Sequence, residues 1–191
     1  VFNFGQDSSF AGNETAQGNT DGNGIVDFYY APPSGYLALC TKNLPEPTIG
    51  PNSDTQSDDY FNTVLYTGDG TANRFISVGF QPDFVWIKRR NGSSNHGLFD
   101  SVRGAGKSLR SNQTRVEDTS PSNTDLDSFN SNGFTVDPPN FIDTNTDGEP
   151  VVAWNWKANG GTATATISES GDNPAAVVQA NPTAGFSIIT Y

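Results

Sequence analysis

The run Gly79-Phe80-Gln81-Pro82-Asp83-Phe84-Val85-Trp86-Ile87-Lys88-Arg89-Arg90 constrains this chain more than any other stretch. Its apolar centre, Phe84 to Ile87, is too short for an ordinary helix, and its β-branched and aromatic residues suit a strand buried on both faces. Pro82 cannot donate to a ladder, so it belongs just before that strand. Alternation sends Phe84 and Trp86 to one face and Val85 and Ile87 to the other. A second run of the same kind, Val151-Val152-Ala153-Trp154-Asn155-Trp156-Lys157, is its natural neighbour at the centre of one sandwich core.

Further strands are expected at Phe61–Tyr66, Arg74–Val78, Gly97–Phe99 and Phe129–Phe134. Turn signals at Gly68-Asp69-Gly70, Asn91-Gly92 and Asn132-Gly133 punctuate them. The polar stretch from Asp100 to Asp125 holds no sustained period and reads as a long loop with at most one helical turn. Short strands at regular spacing, with no amphipathic helix between them, predict an all-β protein built of β-sandwich or jelly-roll modules in tandem. Aromatic residues make up 12% of the chain, which supplies core volume where the apolar fraction is only 34%.

Residues 58–159 are expected to form one sandwich module, and 45–57, with Pro45, Pro47 and Pro51 among polar residues, a hydrated linker. Residues 1–44 read as the C-terminal part of a preceding sandwich, with strands at Val1–Phe4, Asp27–Tyr30 and Leu37–Cys40. In this reading Cys40 is a buried strand thiol. Phe186-Ser187-Ile188-Ile189-Thr190-Tyr191 echoes Phe61-Asn62-Thr63-Val64-Leu65-Tyr66, so 160–191 is expected to be a linker and the first strand of a following module. A chain without methionine that opens within a strand pattern is expected to be a slice of a longer polypeptide.

The formal net charge of −11 repels phosphate backbones, and the tight basic cluster Lys88-Arg89-Arg90 fits a solvated strand end, so no nucleic-acid partner is expected. No apolar run is long enough to span a bilayer, so no membrane insertion is expected either. Gly104-Ala105-Gly106-Lys107-Ser108 resembles the end of a phosphate-binding loop, but the position of the leading glycine is Ser101 and no helical pattern follows. His96, the only histidine, reads as a solvated loop residue.

Two acidic loops have oxygen ligands at alternate positions. Asp143, Asn145 and Asp147, ahead of Gly148, match the first half of a Ca²⁺ loop and form the candidate metal site, although Trp154 stands where the closing glutamate belongs. Asn19-Thr20-Asp21-Gly22-Asn23-Gly24 repeats the alternation, with Asp27 as a further ligand. No other cofactor is implied. Trp86, Trp154 and Trp156 could form a sugar-stacking platform, but their apolar strands favour core packing. Asp83, Asp100 and Asp143 lie near strand ends without forming a recognisable acid–base pair.

Phe61-Asn62-Thr63-Val64-Leu65-Tyr66-Thr67-Gly68, the run from Gly79 to Lys88, Leu98-Phe99-Asp100-Ser101-Val102-Arg103-Gly104, Ser128 to Thr135 and Ala153-Trp154-Asn155-Trp156-Lys157-Ala158 together resemble a β-rich module of marine tailed-phage virion proteins. The segment from Phe2 to Gln6, with Gly35 to Cys40, resembles the end of a SPRY-like, concanavalin A-like sandwich. The resemblance implies a non-enzymatic virion structural protein, a tail-fibre or appendage subunit facing outward. Its expected partners are other virion proteins, two further copies of itself in a trimer, and a host-surface glycan. The alternatives are a capsid-decorating protein and a surface-polysaccharide depolymerase.

Overall fold

The computed structural model describes residues 7–45, 49–50, 54–120 and 124–191. The chain divides into two compact units, Val1–Pro47 and Thr48–Tyr191. Among the described residues it is all-β, and no helix is long and apolar enough to cross a membrane.

Among its described residues the larger unit holds ten strands: β1 (Phe61–Thr67), β2 (Arg74–Ser77), β3 (Phe84–Arg89), β4 (Gly97–Asp100), β5 (Ser128–Asn130), β6 (Gly133–Val136), β7 (Pro150–Trp156), β8 (Ala165–Ile167), β9 (Ala176–Asn181) and β10 (Phe186–Thr190). They form three antiparallel sheets, ordered β1-β7-β3-β4, β2-β6-β5 and β10-β9-β8. The two apolar runs singled out in the sequence pair at the centre of the first sheet, with Trp86 opposite Trp154 and Ile87 opposite Ala153.

Alternation along these strands produces the core. Val85, Ile87, Phe99, Val151 and Ala153 project from the first sheet and meet Ile76, Phe134 and Val136 from the second. Leu126 and Ile142, from outside the strands, are buried in the same cluster. Residues Phe129 to Phe134 are not one strand. The chain reverses within them, and Phe129 pairs with Phe134 across a hairpin. Gly133 sits at the turn because a Cβ there would meet the Ile76 carbonyl oxygen at 2.0 Å.

Residues 160–191 do not open a following module. They fold back as the β8-β9-β10 sheet, and Phe186 packs on the outer side of the first sheet, 6.2 Å from the Trp156 ring and 6.3 Å from Phe84. Two buried polar side chains fasten the turn. The Asp83 carboxylate accepts from the backbone N–H groups of Ala158, Gly160 and Gly161 and from the Ser101 hydroxyl, at 2.6–2.9 Å. Gln179 on β9 accepts from Asn159 N–H and donates to Ser101 Oγ, both at 3.2 Å.

In the smaller unit the strands expected at Asp27–Tyr30 and Leu37–Cys40 do not form. Among its described residues the pairing is a single bridge, Asn19 to Phe28, and Leu37–Cys40 is a bend that runs into a 3-10 turn, Thr41–Asn43. Leu39 is 80% exposed, and Cys40 is half-buried rather than a strand thiol of the core. The expected strand Val1–Phe4 lies outside the described residues. The expected linker does not stay wholly extended, since Gly50 N–H donates to Thr55 and the 3-10 turn Ser57–Asp59 follows at once.

Asp21 organises this unit. Its carboxylate accepts from the backbone N–H groups of Asn23, Ile25 and Ala38 and from Asn43 Nδ2. Burial alone would raise its pKa, but these donors outweigh burial and lower it to about 2. A depressed carboxylate contributes stability that is complete above its unfolded value, about 4, and is lost as pH falls through the folded one. The amide signals of Ile25 and Ala38 should therefore titrate with a midpoint close to the folded value. A midpoint near pH 4 would show that the carboxylate is not held.

Candidate functional site

The face of the first sheet turned away from the core carries the three tryptophans with Phe61 and Phe84. Register lines them up in rows: Phe61, Trp156, Phe84 and Asp100, then Thr63, Trp154, Trp86 and Leu98, then Leu65, Val152 and Lys88. The three tryptophans are thus not part of the sandwich core. Each is half-buried, while Val85, Ile87 and Ala153 beside them are completely enclosed. Phe186 covers the first row through Trp156 and Phe84; in the other two rows Val152 is buried, the tryptophans are half-buried, and Thr63 and Leu65 are exposed, Leu65 to 59%.

Within the second row, Trp86 and Trp154 pack at 5.5 Å between ring centroids and 59° between planes. His96 enters from the β3–β4 connection, its ring 5.9 Å from Trp86. Asn112 fixes that connection by accepting from His96 N–H at 3.0 Å and reaching Asn95 at 3.4 Å. Beyond Leu98 the face continues into a cleft of about 570 Å³ between β4 and β10, walled by Leu98, Leu109, Phe186 and Ile188. Its charged lining is Arg103 with Asp100 and Glu117, which already form ion pairs with one another.

The calcium ligand set is not assembled. Asn145 is completely buried and its amide is engaged on both sides: Oδ1 accepts from Asp69 N–H and Arg74, and Nδ2 donates to Asp69 Oδ1 and the Thr71 carbonyl. Asp143 faces Arg89 at 3.5 Å and accepts from the Thr146 hydroxyl, and Asp147 is exposed. Asn145 ties the 143–149 loop to the β1–β2 turn, and Asp143 ties it to β3. The other acidic loop is the Asp21 clamp. Among the described residues no three His, Cys, Asp or Glu side chains gather as a metal site.

The remaining sequence candidates also have structural duties. Asp100 accepts from Val102 and Arg103 N–H and pairs with the Arg103 guanidinium, while Asp83 holds the C-terminal sheet. Gly104 and Gly106 take positive φ in a turn whose N–H groups donate to Asp100 and Leu126 carbonyls, and Ser108 then bridges to Asp118. Sequence reasoning missed Leu98 and Phe186 as members of the aromatic face. The period-2 pattern of β4 could have found Leu98, but only the fold-back of the C-terminal sheet reveals Phe186.

Residues 56–191 match a domain of unknown function, DUF7483. The chain belongs to this family. The DUF7483 region takes in all ten strands, so β8 to β10 and the Asp83 clamp are parts of the family's domain. No curated protein and no solved structure matches the chain.

Proposed function

We propose that the chain is a non-enzymatic structural and attachment module of a tailed-phage appendage, in a tail fibre or a tail-fibre-like virion protein that faces outward. The observation that carries this reading is the division of labour in the first sheet. Its inner face and the buried carboxylates Asp83 and Asp100 hold the fold, while Trp86, Trp154 and Leu65 on the outer face remain open to a partner. The motif string from Phe61 to Ala158 supports the virion setting. Copies of the chain would cover the edge strands β1 and β10 in a trimer, since an apolar edge with Ile189 55% exposed invites uncontrolled pairing.

Gold-labelled antibody against residues 56–191, applied to purified particles of the encoding phage, is expected to mark tail fibres or tail tips in electron micrographs. Label spread over the capsid lattice would transfer the chain to capsid decoration. Particles without label would overturn the virion reading altogether.

A further inference from the structure

We propose that Asn91 is a self-modifying site: the backbone nitrogen of Gly92 closes on the Asn91 side-chain amide, assisted by Arg89, and the amide becomes an aspartate or isoaspartate. Water is the only co-reactant. This chemistry belongs to the folded domain itself and is independent of the appendage reading.

The chain holds four Asn-Gly pairs, beginning at Asn23, Asn91, Asn132 and Asn159. In each, the bare glycine leaves its nitrogen free to approach the preceding amide carbon. The fold disarms three of them. Gly24 N–H donates to the Asp21 carbonyl at 2.9 Å, and Asn23 Nδ2 donates to Asn43 at 2.8 Å. Gly160 N–H donates to the buried Asp83 carboxylate at 2.9 Å, and Asn159 Nδ2 donates to the Thr162 carbonyl at 2.9 Å. Gly133 is buried within β6, paired with Ser77 on one side and Asn130 on the other. A nitrogen committed in this way must leave the native structure before it can attack.

Asn91 and Gly92 are arranged differently. Both are exposed in the bend that follows β3, and Gly92 N–H donates to none of the described residues. Arg89 Nε donates to Asn91 Oδ1 at 2.8 Å. The same guanidinium lies against Gly92, where a Cβ would sit 3.4 Å from Nη2. Both contacts bear on the ring closure. Attack at Cγ develops negative charge on Oδ1, the atom to which the Arg89 N–H already points. It also requires the Gly92 nitrogen to give up its proton, which an adjacent cation favours. Glu149 at 3.1 Å and Asp143 at 3.5 Å hold the guanidinium in place.

The bonds balance without any oxidant or reductant. The Gly92 N–Cγ bond forms while the Gly92 proton passes to solvent base. The bond from Cγ to Nδ2 breaks, and Nδ2 leaves as ammonia, which yields a five-membered succinimide. Water then opens the ring at one of its two carbonyls. One opening restores the ordinary main chain with aspartate, and the other routes the main chain through the side-chain carbon as isoaspartate. Either product adds one negative charge to the −11 of the chain and sets a new carboxylate beside Arg89, in competition with Asp143 and Glu149.

The test incubates the folded full chain from neutral to mildly alkaline pH. Anion exchange separates the more acidic product, and peptide mapping by mass spectrometry locates each amide exchanged for an acid. Asn91 is expected to convert roughly tenfold or more faster than Asn23, Asn132 and Asn159, at a rate that rises with pH. In urea the four rates should converge, because protection by the fold is gone. Arg89→Met keeps the stem and loses the donor. It should slow conversion of Asn91 about fivefold, less than the 10²–10³ that a buried oxyanion donor supplies. Asp143→Asn loosens the guanidinium while leaving its bond to Asn91, and should change the rate little. The wild-type ranking of the four sites reads out even if the Arg89 variant folds poorly. Conversion of Asn91 no faster than the other three in the folded chain would overturn the site. Rates that stay apart in urea would trace the difference to sequence neighbours and overturn the structural account. An Arg89→Met rate equal to or above the wild-type rate would overturn the assistance by Arg89.

Discussion

Asp83→Ala is expected to release the C-terminal sheet from the sandwich. The substitution removes the acceptor of three backbone N–H groups, at Ala158, Gly160 and Gly161, and of the Ser101 hydroxyl. Ser101 then also loses the neighbour that orients it toward Gln179. Partial rehydration of the amides limits the damage, and the expected cost is about 3–5 kcal/mol. For a unit of this size that lowers the melting temperature by roughly 10–20 °C. Limited proteolysis of the folded variant should cut between Trp156 and β8 faster than in the wild type. A variant that melts with the wild type and is cut no faster there would show that Gln179 and Phe186 hold the sheet without the Asp83 carboxylate.

The second large effect is expected from Gly68→Ala. Gly68 N–H donates to the Glu149 carbonyl and its own carbonyl accepts from Gly148, so the backbone is pinned on both sides. A Cβ at this position would lie 1.9 Å from the Thr146 carbonyl oxygen and 2.9 Å from the Asn145 carbonyl carbon. Backbone cannot swing away as a side chain can, so the 143–149 loop must shift and the buried Asn145 hydrogen bonds with it. The expected loss is about 3–5 kcal/mol, at the upper end for a single added methyl. Gly148→Ala separates this clash from a conformational cost, since Gly148 has φ +75° but no atom within 4 Å of the added methyl. It should cost only about 1 kcal/mol. Equal losses in paired thermal melts would refute the clash.

The strands of the larger unit were legible because their signal is local. Period-2 alternation in Phe84 to Ile87 and Val151 to Trp156 placed Trp86 opposite Val85 correctly. What alternation cannot say is which face meets another layer. Tryptophan in an apolar run reads as core, yet the smaller Val85, Ile87 and Ala153 are the enclosed residues, because two sheets close on them. Asn145 carries the same lesson for polar residues. In sequence it is one of three alternating oxygen ligands, and its true partners, Asp69, Thr71 and Arg74, lie more than seventy positions away. Residues 160–191 misled for a related reason. Their likeness to β1 is real as a strand pattern, but only Gln179 and Phe186, meeting residues far upstream, decide that the strands return to the same unit. In the smaller unit, the apolar run Tyr36 to Cys40 promised a strand, and the Asp21 clamp on Ala38 N–H bends it into a turn instead.

The alternation of β3 and β7 also bears on how such a domain can diversify. Val85, Ile87, Val151 and Ala153 answer to the packing between sheets, while Trp86, Trp154 and Leu65, one position away on the same or the paired strands, answer only to what lies outside. Mutations at odd and even positions of one strand therefore fall under separate selection. A lineage can exchange the outward residues, and with them the chemistry of that face, while every intermediate retains a folded domain.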